Sequence, residues 1–303
     1  MVRALLILAL IAAAIWAATH VGHHASSDVF MTLFMHLAPA PIELHHEPLS
    51  IHVPAFLGAF TLDSAGHPTG ELVVTNLQIF QVTAVLLLFL AFSGVARHVR
   101  TGQGDPISKL FAGFAKWVRD EIVHPNMGRE TGDRFLPFFL IIFFFILFMN
   151  LLGLLPGSAT ATASIFVTAA LAGITFFAMV ACGMVVQGPI AFWKNLVPHV
   201  PLALWPLMFV VELVGLVIKP CALMIRLFAN MTGGHLIVLT CMGLIMFFAD
   251  TGANAVVGYG SAPAAVGFAV FIMIIESFVA CLQAYIFTML SVLFVQASIH
   301  PEH

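Results

Sequence analysis

Residues 212–235, ELVGLVIKPCALMIRLFANMTGGH, place five polar or charged side chains inside a stretch that is otherwise apolar. These side chains belong to Glu212, Lys219, Arg226, Asn230 and His235. A charge at the centre of a membrane helix costs about 2.5–3.5 kcal/mol on insertion scales, so an ionisable residue there indicates a functional site. The stretch therefore predicts a membrane helix and also indicates where in the chain the function lies.

Helical geometry gathers most of these residues on one face. On a regular helix, Lys219 and Glu212 lie about 20° and about 40° from Arg226 around the axis. Asn230 lies about 40° to the other side, so one polar stripe faces away from lipid. Along the axis, Glu212 lies about 21 Å from Arg226, and His235 lies about 13 Å away in the other direction. The glycine pair before His235 weakens the helix and leaves the direction of its side chain open.

The composition excludes an ordinary soluble domain. Of 303 residues, 61% are hydrophobic and 8% are charged, which is typical of a polytopic membrane protein. The net charge of −3 does not indicate a nucleic-acid partner, and no GxxxxGK[ST] phosphate loop occurs, so catalysis on ATP is not expected in this chain. The four cysteines lie in apolar runs without CxxC spacing, which favours packing over a metal or redox role, and we expect no cofactor.

The apolar runs predict an all-α fold with about five membrane helices. They cover residues 76–95, 135–155, 163–186, 201–249 and 266–295. The fourth run has about 49 residues, which as one helix would span about 73 Å against a hydrocarbon core of about 30 Å, so it cannot stand perpendicular to the bilayer. Residues 250–265 are rich in Gly and Ala and are predicted to form an outer turn.

The chain before the first firm span divides into two parts. Residues 1–25 carry Arg3 and about 15 apolar residues, which predicts a signal peptide, with an uncleaved signal anchor as the alternative. Residues 26–75 form an outer-side segment, followed by the membrane domain at residues 76–303. The outer segment contains several histidines but has neither an i,i+4 histidine pair nor a cysteine, so a solvated loop is favoured over a metal site.

The basic residues predict the orientation of the chain. Nine of the 11 Lys and Arg residues fall outside the membrane, all on one predicted side, which the positive-inside rule assigns to the cytoplasm together with the C-terminus. Residues 107–122 lie on that side and repeat apolar residues at helical spacing, which predicts an amphipathic helix along the membrane surface. Its apolar face either packs beneath the spans or contacts a stalk helix.

Three motifs resemble subunit a of F-type ATP synthases. The most specific is ALMIRLFANMTGGH at residues 222–235; MNLLGLLP at 149–156 and ESFVACLQAYIF at 276–287 extend the resemblance to about residues 75–300. Met224 departs from the family, which usually has a small residue there. The resemblance implies that the last two helices form a long, tilted hairpin along the ring of c subunits.

The resemblance also implies roles for the polar residues. Because an arginine does not deprotonate in proteins, Arg226 would be a fixed positive charge that drives proton release from a carboxylic acid on the c-ring and blocks direct leakage. His235 and Glu276 would form a paired relay site in the outer half-channel, with Gln283 and Asn230 as hydrogen-bonding neighbours. Glu276 and Gln283 are seven residues apart and therefore share a helix face.

Each of these residues also has a structural alternative. Arg226 would instead form an ion pair with Glu276 or Glu212, and a lone buried histidine such as His235 is often simply a satisfied core residue. Glu212 would line the inner half-channel. Lys219 would either line the same half-channel or extend its ammonium group to the membrane interface.

The resulting hypothesis is a non-catalytic, proton-conducting stator subunit that couples ion flow to rotation. Its expected partners are the c-ring, the subunit b stalk and the rest of the F1Fo complex, in a bacterial inner membrane. A self-contained proton-coupled transporter and a structural scaffold are the alternatives. The sequence leaves open whether the ion is a proton or sodium, because the ion-binding carboxylate would lie on the partner.

Overall fold

A computed structural model describes most of the chain. The described residues are 2–19, 43–44, 47–48, 50–52, 71–73, 75–102, 104–155, 160–197, 201, 204–250 and 255–300. Within them the helices are α1 Val2–Thr19, α2 Asn76–Phe92, α3 Val95–Thr101, α4 Pro106–Trp117, α5 His124–Met127, α6 Arg129–Gly153, α7 Ile165–Gln187, α8 Pro189–Asn195, α9 Trp205–Asp250 and α10 Ala255–Ile299. A π-helical turn covers Val118–Val123, and a 3-10 turn covers Ala161–Ala163.

Five segments of the described chain are long and apolar enough to cross a membrane. They are Asn76–Thr101, Arg129–Gly153, Ile165–Gln187, Trp205–Cys241 and Ala262–Ile299. Except at its two ends, a helix satisfies its backbone hydrogen bonds internally, which is why long apolar runs take this form in lipid. The predicted all-α, polytopic fold with five spans is confirmed, with boundaries that differ from the predicted ones by several residues.

The last two helices are the longest. At 46 and 45 residues, α9 and α10 would extend for about 69 Å and about 68 Å, more than twice the hydrocarbon core. The helix α9 continues through Pro220 and through the glycine pair before His235, where the sequence indicated weakening. The predicted outer turn at residues 250–265 is wrong for 255–265, which belong to α10.

The outer-side segment is described only in part. Its strands β1 Glu43–Leu44 and β2 Glu47–Pro48 pair antiparallel, as do β3 Ser50–His52 and β4 Glu71–Val73. The sequence predicts a loop for this segment, and the short ladders differ from that prediction. The side chains of its histidines lie outside the described residues. The predicted domain boundaries, and the assignment of residues 1–25 as a signal segment, stay predictions.

The chain forms two compact units. The first comprises residues 1–87, 149–161 and 233–277, and the second comprises 88–148, 162–232 and 278–303. The second unit has an aromatic core in which Phe92, Phe111, Phe144 and Phe148 pack with ring centroids 4.9–6.1 Å apart. Such tilted and edge-to-face contacts are the preferred geometry of aromatic rings.

The predicted amphipathic segment buries some of its apolar side chains and exposes others. Phe111, Val118 and Ile122 pack into the core of the second unit, whereas Leu110 and Phe114 are exposed. The segment therefore packs against the helices of its own unit, as one of the two alternatives proposed, and still presents part of its apolar face outward. The regular α-helix changes to π-helix at Val118, so the predicted helix is not uniform over 107–122.

Candidate functional site

Arg226 lies on an exposed part of α9. Its side chain is exposed, and so is that of the adjacent Ile225. Within the described chain, Arg226 takes part in no ion pair and no hydrogen bond. The alternative of a structural ion pair with Glu276 or Glu212 is therefore not supported by the described contacts. A guanidinium group at membrane depth is costly, and this one has no compensating partner among the described residues of its own chain.

In the first unit, the ring of His235 is held by a hydroxyl group. The Thr160 Oγ1 atom lies 3.3 Å from His235 Nδ1, and the same hydroxyl donates to the Gly153 carbonyl oxygen at 3.2 Å. Thr160 is buried and comes just before the 3-10 turn, while Gly153 is the last residue of α6. Two segments of the first unit, 149–161 and 233–277, thus meet where Thr160 contacts the imidazole.

Glu276 lies against the residue next to His235. The Glu276 side chain is only 6% exposed, and its Oε1 atom has no hydrogen-bond partner among the described residues. A Cβ atom built on Gly234 would lie 2.5 Å from Glu276 Cδ and 3.0 Å from Cγ, so only a glycine leaves room for the carboxyl group. The Glu276 side chain therefore packs against the residue that precedes His235, although no hydrogen bond or ion pair joins His235 and Glu276 in the described residues.

Gln283 and Asn230 occupy different environments within the second unit. Gln283 is buried, and its Nε2 atom has no hydrogen-bond partner among the described residues. Asn230 is half-buried, one helical turn after Arg226 on α9. The resemblance also implies that Gln283 approaches Arg226, but no hydrogen bond joins the two side chains in the described structure.

Glu212 and Lys219 line a cavity in the second unit. Its volume is about 540 Å³, and its wall also includes Gln187, Asn195, Gln296 and Ser298. Part of the polar wall is internally bonded: Gln187 Nε2 donates to the Ser298 carbonyl oxygen at 2.7 Å, and Asn195 Nδ2 donates to Gln187 Oε1 at 3.1 Å. The two residues predicted to line a half-channel thus share one cavity, which has both polar and apolar walls.

Thr160, Gly153 and Gly234 were not predicted as site residues. Thr160 falls in the uncharged turn GSATATA, where nothing in the spacing distinguishes it from its neighbours. The two glycines act by being small, which a sequence pattern does not reveal without knowing what packs against them. No group of three or more His, Cys, Asp or Glu residues arranged to hold a metal ion occurs in the part of the chain that the structure describes.

The fold and these side chains define a class: a polytopic helical membrane protein with ionisable groups inside its candidate spans. Residues 78–296 match the family described as ATP synthase A chain. Because this match covers more than half of the chain, the chain belongs to the ATP synthase A chain family. The resemblance inferred from the sequence motifs is confirmed.

Similar proteins carry the same family name. The chain is 43% identical over 205 residues to an ATP synthase subunit a of Myxococcus xanthus, an alignment covering 68% of this chain and 64% of the relative. It is 37% identical over 264 residues to an ATP synthase subunit a of Chloroherpeton thalassium, covering 86% of this chain and 75% of the relative. It is 45% identical over 223 residues to an ATP synthase subunit a of Anaeromyxobacter dehalogenans strain 2CP-C, covering 72% of this chain and 55% of the relative. The alignments thus span between about half and three quarters of these relatives.

Proposed function

We propose that this chain is the proton-conducting stator subunit of a rotary ATP synthase. Membership of the ATP synthase A chain family supports this function, and so do the relatives named ATP synthase subunit a. The chain would not itself catalyse ATP chemistry. Its proposed partners are the c-ring, the subunit b stalk and the remaining subunits of the complex, in a bacterial inner membrane with the C-terminus in the cytoplasm. The alternative of a self-contained transporter has no support in the comparisons.

The single observation that carries the proposal is the state of Arg226. It is exposed on an apolar helix and has no ion pair or hydrogen bond with the described residues. An uncompensated guanidinium group at this depth requires an acidic partner from outside the described chain. A carboxyl group on a rotating partner helix meets that requirement and would release its proton when it comes close to the fixed charge.

Two polar regions would then serve as the half-channels. His235 and Glu276, assisted by Gln283 and Asn230, would pass protons on the outer side. The cavity with Glu212 and Lys219 would open the path on the inner side, since it already holds polar groups around an empty volume. Each proton moved across the membrane through both regions would contribute about 2.3 kcal/mol per 100 mV to rotation.

The test is ATP-driven acidification of inside-out membrane vesicles carrying Arg226→Ala. We expect acidification to be abolished while the assembled complex is present at the wild-type level. The matched control is Arg100→Ala, which removes an exposed cation at the end of α3 and is expected to leave acidification unchanged. Normal acidification with Arg226→Ala would refute the proposed role of this residue.

A further inference from the structure

Thr160 is the only described side chain that hydrogen-bonds to the proposed relay histidine. Its hydroxyl oxygen lies 3.3 Å from His235 Nδ1 and 3.2 Å from the carbonyl oxygen of Gly153. A hydroxyl group carries one hydrogen and accepts through its lone pairs, so it can donate to only one of these two neighbours. A carbonyl oxygen only accepts, and therefore the choice between the two neighbours decides which nitrogen of His235 carries its hydrogen.

The Gly153 carbonyl is the neighbour that needs the hydrogen. Gly153 is the last residue of α6, and carbonyl groups in the last turn of a helix have no intrahelical donor. The residue is buried, so water does not replace the missing donor without cost, and an unpaired buried acceptor is destabilising. The hydroxyl hydrogen of Thr160 therefore points to Gly153, and the hydroxyl oxygen accepts a hydrogen from His235 Nδ1.

The contact between Thr160 and Gly153 depends on close local packing. A Cβ atom on Gly153 would lie 2.9 Å from Thr160 Cγ2 and 3.2 Å from Oγ1, closer than side chains normally approach. Glycine at this position lets Thr160 reach both partners. On the other side of the histidine, His235 Nε2 has no hydrogen-bond partner among the described residues.

We propose that Thr160 is a positioning residue that fixes His235 as the Nδ1–H tautomer and leaves Nε2 as the nitrogen that exchanges protons. This inference rests on the proposed function of His235. An incoming proton binds the Nε2 lone pair and forms the imidazolium ion. Loss of the same proton from Nε2 restores the starting tautomer. Nδ1 keeps its hydrogen bond to Thr160 throughout, so the ring does not have to flip between steps.

The functional test compares variants of Thr160 in the complete complex. Thr160→Val keeps the shape of the side chain and removes the hydroxyl group, and it is expected to slow ATP-driven vesicle acidification about three- to tenfold, the factor that one ordinary hydrogen bond corresponds to. Thr160→Ser keeps the hydroxyl group and is expected to stay within about twofold of wild type. The matched control is Thr168→Val, since among the described residues the buried Thr168 hydroxyl bonds only to carbonyl groups of its own helix turn, at 3.3 and 3.1 Å.

A spectroscopic measurement separates tautomer control from mere packing. Nitrogen NMR of the wild-type complex with ¹⁵N-labelled histidine reports which ring nitrogen is protonated, and the His235 signal is assigned by its loss in His235→Gln. We expect the Nδ1–H tautomer in wild type and in Thr160→Ser, and a mixture in Thr160→Val. Because the key spectrum is that of the wild-type protein, it decides the matter even where Thr160→Val does not assemble. A neutral His235 with its hydrogen on Nε2 would overturn the inference.

The same variants distinguish the two proposals. If His235→Gln acidifies vesicles normally, then the proposed relay role of His235 is wrong, whatever Thr160 does. If His235→Gln is inactive and Thr160→Val is as fast as wild type, then only the positioning role of Thr160 is refuted. Equal losses in Thr160→Val and Thr160→Ser would likewise refute it, because they would reflect packing rather than the hydroxyl group.

Discussion

The surroundings of His235 and those of Arg226 differ in how much of each site this chain supplies. His235 is bonded to Thr160, and the carboxyl group of Glu276 is fitted against Gly234. Arg226, in contrast, is exposed and has no ion pair or hydrogen bond within the described residues. A site enclosed by its own chain depends on the shape of that chain. A site that lies open depends on what binds there.

Within the enclosed site, the largest effect is expected for its ionisable group. Glu276→Gln keeps nearly the same size and removes the exchangeable proton, so we expect vesicle acidification to fall about 100-fold, the lower range for losing a positioned acid or base. The control is Glu121→Gln, which neutralises an exposed carboxylate outside the spans. If Glu276→Gln retained more than about half of the activity, Glu276 would be a packing residue and the contrast between the two sites would disappear.

Substitutions of the adjacent Gly233 and Gly234 test whether the enclosed site around His235 and Glu276 depends on its close packing. Gly234→Ala would bring a methyl group to 2.5 Å from Glu276 Cδ, so the carboxyl group must move, and we expect acidification to fall at least about tenfold. Gly233→Ala is the matched control, because a Cβ atom there meets nothing within 4 Å. The measurement is acidification at equal levels of assembled complex. Equal activity of the two variants would show that the close fit at Glu276 has no functional consequence.

The spans and the charged site residues could be predicted from the sequence, whereas the fit around them could not. A charge such as Arg226 stands out because burying it in lipid is costly, and long apolar runs predict helices by length alone. Thr160 contributes through a contact with a residue 75 positions away, which local spacing does not reveal. The sequence predicts residues 250–265 as a turn because glycine has a low helix propensity, whereas 255–265 belong to α10. In a long apolar helix, the requirement to satisfy backbone hydrogen bonds outweighs the propensity of individual residues.

We predict that the interior of the second unit is as closely packed as the site around His235. Arg226 belongs to the same unit, but its side chain is exposed. A Cβ atom on Gly183 of α7 would meet Ser298 Oγ and would lie 2.5 Å from Phe192 Cε2. We therefore expect Gly183→Ala to destabilise the protein by about 1–3 kcal/mol through overpacking. Gly173→Ala on the same helix is the matched control, since nothing lies within 4 Å of its Cβ position. Thermal unfolding of the detergent-solubilised complex measures both variants, and an unchanged midpoint for Gly183→Ala would contradict this account.

The smallest effect is expected at the exposed ion pair outside both sites. Arg119 Nε lies 2.8 Å from Asp120 Oδ1, and this hydrogen bond lowers the pKa of Asp120 below its usual value. Because the pKa is lower in the folded state, the pair stabilises the protein above the unfolded pKa, and this contribution is lost as the pH falls through the folded pKa. Solvent screens an exposed pair, so Asp120→Asn should lower the unfolding midpoint only slightly at about pH 7 and by less at about pH 3. Thermal unfolding of the complex at the two pH values checks this. We expect acidification by Asp120→Asn to stay at the wild-type rate, since the pair lies outside the proposed proton path. A large loss of thermal stability at neutral pH would mean that Asp120 supports structure beyond its contact with Arg119.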